Sequence, residues 1–139
     1  MEQRRISLGV YPTPLNKLER LSQELNKNIY IKRDDMCGVA LGGNKVRKLE
    51  FLLADAINRG CDTVITTGGV QSNHAMLTAA CAKRLGLEAV LVLMGAEQEY
   101  QGNLLLDQLF GARVLFTGVP QDEIAAEMEW VAAGLRGEG

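Results

Sequence analysis

The stretch Gly42-Gly43-Asn44-Lys45-Val46-Arg47-Lys48 sets a lysine where a lysine can do covalent chemistry. Two glycines ahead of it free the backbone for positive φ or for a close approach. Asn44 is a favourable N-cap residue, and Leu49, Leu52, Leu53 and Ala56 follow at helical spacing, so the pattern predicts a helix starting at Lys45. The positive end of that helix dipole disfavours an ammonium, and a lysine that gives up its proton readily is what Schiff-base formation needs. The plainer alternative is a solvated, inert lysine in a first helical turn.

A second stretch has comparable chemical content. Thr66-Thr67-Gly68-Gly69-Val70-Gln71-Ser72-Asn73-His74 follows a predicted strand and opens a predicted helix. Its glycines permit close backbone approach, and Gln71, Ser72, Asn73 and His74 bring donors and acceptors to a helix N-terminus, a cradle for an anionic or phenolate oxygen. Helix capping by Ser72 with no ligand is the alternative. G-x-G-x-x-G and GK[ST] are both absent, so neither a dinucleotide fingerprint nor a Walker A loop is present. His74 is the only histidine, which rules out a multi-histidine metal site within this sequence. Ser72 and His74 are two apart on a helix and do not face each other as a nucleophile pair. Adjacent Asp34 and Asp35 point to opposite sides of an extended segment, and are expected to pair with Arg33, Arg47 or Lys48 rather than act together.

The elements that must position these residues follow from periodicity. After the extended Tyr11-Pro12-Thr13-Pro14, Leu18, Leu21 and Leu25 mark a short helix within 15–25, and Asn28 to Arg33 alternates as a strand. A loop over 34–41 leads to the helix at 45–59, ended by Gly60. Strands at 63–67, 89–94 and 113–116 then alternate with helices at 72–85, 101–110 and 121–135. The apolar run Ala89 to Met94 reads as a strand buried on both faces, and Ile124, Met128, Ala132 and Leu135 form the inward face of the last helix. This alternation specifies an α/β fold, a parallel sheet with flanking helices in three layers. The rhythm stops where another strand is due and the strand at 29–33 has no parallel partner nearby, so the chain is expected to be part of a larger two-domain fold.

Composition removes other classes. A net charge of −2 gives no basic surface for nucleic acid, and no apolar run approaches a membrane span. The N-terminus lacks the apolar core of a secretory signal. Three widely spaced cysteines without a CxxC fit neither a disulfide framework nor a zinc site, and fit a reducing cytoplasm. Cys61 and Cys81 are expected in the core. The acids Glu97, Glu99, Asp122, Glu123, Glu127 and Glu129 read as a solvated surface.

Taken together, Lys32-Arg33-Asp34-Asp35, the block Gly42 to Phe51 (GGNKVRKLEF) and Gly68 to His74 resemble the D-cysteine desulfhydrase and 1-aminocyclopropane-1-carboxylate deaminase family. These are pyridoxal-phosphate enzymes of the tryptophan-synthase-β fold, fold type II. Thr13-Pro14-Leu15 and Gly102-Asn103-Leu104-Leu105-Leu106 fit the same family, and the resemblance runs from about Tyr11 to the last residue. It implies a cofactor, pyridoxal 5′-phosphate, held covalently by Lys45, which also moves the substrate's α-proton. It implies Asn44 and Asn73 beside the cofactor ring, Lys48 toward its phosphate, and Ser72, Asn73 and His74 toward the substrate, with Ser72 as an assisting acid or base. The implied reaction is elimination of D-cysteine to pyruvate, ammonia and sulfide. Cyclopropane deamination and sulfite elimination from cysteate are the alternatives within the family, and a non-catalytic partner-binding or dimer-forming domain is the alternative outside it. His74, where the deaminases are expected to carry glutamine, leans toward the desulfhydrase branch. The resemblance further implies a boundary near residue 60, with 1–60 belonging to the larger cofactor domain and 61–139 to a smaller βαβ domain. A homodimer is implied for the longer protein. The family's glycine-rich phosphate loop, the partner of the pyridine nitrogen and the ring-opening tyrosine have no counterpart in this sequence, so the segment alone is expected to be inactive.

Overall fold

The computed structural model of the chain describes residues 5–137. Its centre is a parallel sheet of β3 (Thr63–Gly69), β4 (Glu88–Met94) and β5 (Arg113–Thr117), in the order β3-β4-β5. Val64 lies beside Ala89 and Leu91 beside Val114 in the two ladders. Strand β4 is buried on both faces, as its uninterrupted apolar run demands. Ala89, Leu91 and Leu93 pack with Ala75, Ala79 and Ala82 of α3 (Asn73–Arg84) and Leu104 of α4 (Gly102–Leu109). On the other face, Val90 and Val92 meet Val131 of α5 (Ile124–Gly137), flanked by Ile124, Met128 and Leu135. Alanines at every turn of α3 let that helix approach β4 closely, which gives three layers, α3 and α4, the sheet, then α5.

Helix α2 (Lys45–Asn58) stacks on the outer side of α3. Val46, Leu49 and Leu53 of α2 interlock with Met76, Leu77 and Cys81 of α3, and with Leu8, Cys37 and Val39 from the N-terminal stretch. This core joins the first 60 residues to the following βαβ units. Leu52, expected on the inward stripe, is 55% exposed. The buried face is instead Val46-Leu49-Glu50-Leu53-Ala54, rotated so that a glutamate lies inside.

The N-terminal region departs most from its pattern. Leu15–Lys17 form strand β1, paired antiparallel with β2 (Tyr30–Lys32), so the strand without a parallel partner has an antiparallel one. Helix α1 is left with Glu19–Glu24, and Leu21 and Leu25 are exposed. Pro14 holds the preceding chain extended and the ladder to β2 captures the next three residues, which outweighs the leucine spacing. The expected loop at 34–41 opens with a 3₁₀ turn, Asp34–Met36. Cys81 is buried, whereas Cys61 is exposed, lying past the end of α2 before β3 begins.

One carboxylate is out of place in this core. Asp107 shares the inward face of α4 with Leu104, is 1% exposed, and neither side-chain oxygen has a hydrogen-bond partner. Burial pushes its carboxyl up to about 6. A folded-state value above the unfolded one means that native stability falls as pH rises through the interval between them. Asp107→Asn should therefore be more stable than the parent at pH 8, by on the order of 2 kcal/mol, with the difference vanishing near pH 4. Urea denaturation at pH 8, 6 and 4 checks this, and a destabilised variant at pH 8 would show that the carboxylate has a compensating partner.

Candidate functional site

The lysine turn is fixed from outside. Gly42 has φ +73° and donates its N–H to Val39 O at 2.7 Å. A Cβ there would collide with the backbone of Asp35, so only glycine fits. Gly43, with φ +129°, donates to Asp34 O at 2.8 Å. Asn44 occupies the N-cap position of α2 but does not cap it. Its φ and ψ of −64° and −15° are already helical, and capping requires extended backbone for the side chain to turn back onto the first free N–H groups. Lys45 is then the first residue of α2 and half-buried, with Lys48 exposed one turn on.

The second turn caps its helix properly. Ser72 is extended, with φ −65° and ψ 118°, and its hydroxyl oxygen accepts from Ala75 N at 3.2 Å. A Cβ on Gly68 would overlap the Ser72 side chain, so that glycine makes room for the hydroxyl. Gln71, read as one more donor for a ligand, is committed elsewhere. Its amide donates to Gln101 O at 3.0 Å and accepts from Asn103 N at 2.8 Å, while Asn103 Nδ2 donates to Gln71 O at 2.9 Å. These bonds tie the glycine-rich turn to the start of α4, which is the structural work of Gly102-Asn103.

The two turns meet. A Cβ on Gly43 would lie 2.6 Å from Asn73 Nδ2, so the bare glycine backbone is the seat of the Asn73 amide. Packing of α2 on α3 thus brings two helix N-termini side by side, with Lys45 on one and Ser72-Asn73-His74 on the other. Both dipoles present their positive ends there, which suits an anionic group. His74 is turned inward: its Nε2 shares a hydrogen bond with Thr66 Oγ1 at 3.1 Å, and its Nδ1 is buried without a partner. Burial, then the charges of Lys48 and Lys45, hold its imidazole below the ordinary histidine range. A neutral imidazole with one unsatisfied nitrogen therefore lies within electrostatic reach of the two lysines. Ser72 and His74 do not face each other, as their spacing required.

Around this mouth the acidic pair divides as expected. Asp35 binds Arg33 at 2.6 Å on the surface. Asp34 accepts from Arg47 Nε and Nη2 at 2.6 and 2.7 Å and from Thr13 Oγ1 at 2.7 Å, which holds its carboxyl down at about 2. The Arg47 guanidinium lies over the Tyr11 ring, 4.6 Å from its centroid. Periodicity could not supply Thr13, Tyr11 or the inward Glu50, because the contacts that define their roles, Thr13 with Asp34, Tyr11 with Arg47 and Glu50 with Leu8, join residues more than twenty apart. The one available signal was a charge, Glu50, between the apolar Leu49 and Leu53.

A sequence profile described as pyridoxal-phosphate dependent enzyme matches residues 6–137. The chain belongs to that family. Pyridoxal phosphate is the cofactor on which the family depends. The chain is 52% identical over 136 residues to a Pyrococcus abyssi protein provisionally named 1-aminocyclopropane-1-carboxylate deaminase, a match covering 97% of the chain and 41% of that protein. It is 48% identical to the D-cysteine desulfhydrase of Yersinia pestis, covering 95% of the chain and 43% of that protein. A crystal structure of an ACC deaminase homologue superposes with a TM-score of 0.92 at 44% identity, over 99% of the chain and 42% of the solved one. The chain thus spans well under half the length of these relatives, and matches the three-layer α/β arrangement of that structure. No helix among the described residues is long and apolar enough to cross a membrane.

The residues present suit half of a site for this cofactor. They supply a primary amine at Lys45, amides at Asn44 and Asn73, a hydroxyl at Ser72, a second cation at Lys48 and two helix N-termini. The glycine seat for Asn73 gives the cradle a defined floor.

Proposed function

We propose that this chain carries the lysine half of the active site of a pyridoxal-phosphate lyase acting on a small β-substituted amino acid, D-cysteine being the leading substrate. The observation that carries the reading is the seating of Asn73 on Gly43, which places the Lys45 turn and the Ser72 turn at one mouth. When bound, the cofactor supplies an electron sink for charge developing at the substrate Cα. Lys45 Nζ would hold the cofactor covalently and take the Cα proton of the amino acid. Asn73 and Asn44 would orient the ring through amide hydrogen bonds, and Lys48 would face the phosphate. Ser72 Oγ accepts from Ala75 N–H with one of its two lone pairs, and its hydroxyl hydrogen is free to donate, to a substrate carboxylate or as an assisting acid. His74, held neutral by burial and by the charges of Lys48 and Lys45, brings an uncharged ring nitrogen to the mouth.

The reading includes a division near residue 60, since each side has a sheet of its own, and a homodimer for the longer protein. The free thiols Cys37, Cys61 and Cys81 accord with a reducing cytoplasm. Cyclopropane-amino-acid deamination is the second reading, supported by the name of the 52% identical relative, while His74 favours elimination. Cysteate is a further candidate substrate on the elimination side.

The deciding experiment mixes the chain with pyridoxal phosphate, reduces with borohydride and maps the modified lysines by mass spectrometry. Lys45 is expected to take at least tenfold more label than any other lysine, and Lys45→Arg to abolish the excess. Label spread evenly over surface lysines would overturn the proposal. Sulfide from D-cysteine against 2-oxobutanoate from the cyclopropane amino acid, assayed with the longer protein, separates the two readings.

A further inference from the structure

Helix α2 begins without restraints of its own. Its N-cap side chain makes no capping bond, and its first backbone bond, Val46 N–H to Gly43 O, is long at 3.4 Å. Gly43 and Gly42 both have positive φ and little intrinsic preference for one conformation. A lysine on such a turn would swing unless something outside the helix held it. Among the described residues, only Asp34 makes hydrogen bonds to the chain on both sides of Lys45. The carbonyl of Asp34 accepts from Gly43 N–H, two residues before the lysine. Its carboxylate takes Arg47, two residues after, with both oxygens in fork geometry.

We propose that Asp34 is a positioning residue for Lys45, bracing the first turn of α2 from both sides so that the amine faces Asn73. This rests on the reading of Lys45 as the cofactor lysine. Asp34 is itself immobilised: Thr13 Oγ1 donates to the same carboxylate oxygen that takes Arg47 Nη2, and Arg47 Nη2 reaches Thr13 Oγ1 at 3.2 Å. The Asp34 side chain is 13% exposed, so water competes weakly for it. On the far side, the Tyr11 ring backs the guanidinium. The brace is therefore a closed set of Thr13, Asp34, Arg47 and Tyr11, and its output is the direction of the Cα–Cβ bond at Lys45.

The test uses Asp34→Asn, which keeps the carbonyl bond to Gly43 but removes the charged fork, and Arg47→Lys, which keeps the charge and loses the planar geometry. Two quantities are read on the 139-residue chain. One is amide hydrogen exchange at Gly43 and Val46 against Leu91 and Leu93 in β4. The other is the ratio of Lys45 to Lys48 captured by pyridoxal phosphate and borohydride. Asp34→Asn should speed exchange at Gly43 and Val46 about tenfold, leave β4 unchanged, and lower the capture ratio at least fivefold. Arg47→Lys should move both in the same direction by a smaller factor, and carries the test alone should Asp34→Asn not fold. Unchanged exchange at the turn, exchange raised equally in β4, or an unaltered capture ratio would each overturn the brace. A parent chain with no preference for Lys45 would count against the cofactor reading, and the exchange pattern would then decide the brace by itself.

Discussion

Glu50→Ala is expected to cost about 3 kcal/mol of folding stability, because it strips buried hydrogen-bond acceptors from the chain's N-terminal anchor. Glu50 is fully buried on the inward face of α2. Its Oε1 accepts from Leu8 N at 2.8 Å and Gly9 N at 3.1 Å, and its Oε2 takes Arg5 Nε at 2.7 Å. Its own carbonyl accepts from Ile6 N at 3.1 Å, so one residue grips Arg5, Ile6, Leu8 and Gly9 of the N-terminal segment. The Arg5 guanidinium is about half exposed and can return to water when the carboxylate is removed. The loss therefore falls on the two stranded N–H groups and the cavity beside Leu8. Arg5→Ala should cost only about 1 kcal/mol, since Glu50 keeps both backbone donors. Urea denaturation of the two variants measures the contrast, and equal losses would show that the ion pair rather than the backbone anchor matters.

Gly42→Ala should be at least as damaging at the turn itself, on the order of 3 kcal/mol, from strain at positive φ together with a backbone collision. The added methyl would enter the carbonyl of Asp35, 2.8 Å from its Cα, and backbone cannot rotate away as a side chain can. Gly60→Ala is the control. Its φ of +73° is the same, but nothing lies within 4 Å of the added carbon, so the conformational part alone, about 1 kcal/mol, should appear. Thermal denaturation gives both figures. Similar losses in the two variants would mean that the 3₁₀ turn at Asp34–Met36 yields, and that the mould for the lysine turn is soft.

The alternating rhythm of strands and helices was fully legible from residue 63 onward, where the structure shifts boundaries by a few residues. There, neighbouring elements in sequence are neighbours in space, and each apolar stripe meets the element that follows it. Leu91 and Val92 face opposite layers because β4 is central, which a continuous apolar run records locally. The first 44 residues were less legible. The leucine spacing over 15–25 is real, yet Pro14 and the ladder to Tyr30–Lys32 turn its beginning into a strand. Cys61 shows a related limit: an apolar type beside a helix end predicts core, and the turn places it outside.

By itself the sequence determined the chemical inventory: a lysine opening a helix after two glycines, a Ser-Asn-His turn after a strand, and the motif that links them. Types and spacing along the chain encode those directly. Tertiary structure alone decided that Asn73 sits on Gly43, that Gln71 serves α4, and that Asp34 reaches both sides of Lys45. It decided equally that Asn44 leaves its helix uncapped and that Glu50 points inward. Each of these depends on how α2 lies against α3 and on which N–H groups the packing leaves unpaired. Helix packing and hydrogen-bond satisfaction are settled between segments tens of residues apart, beyond the reach of any local pattern.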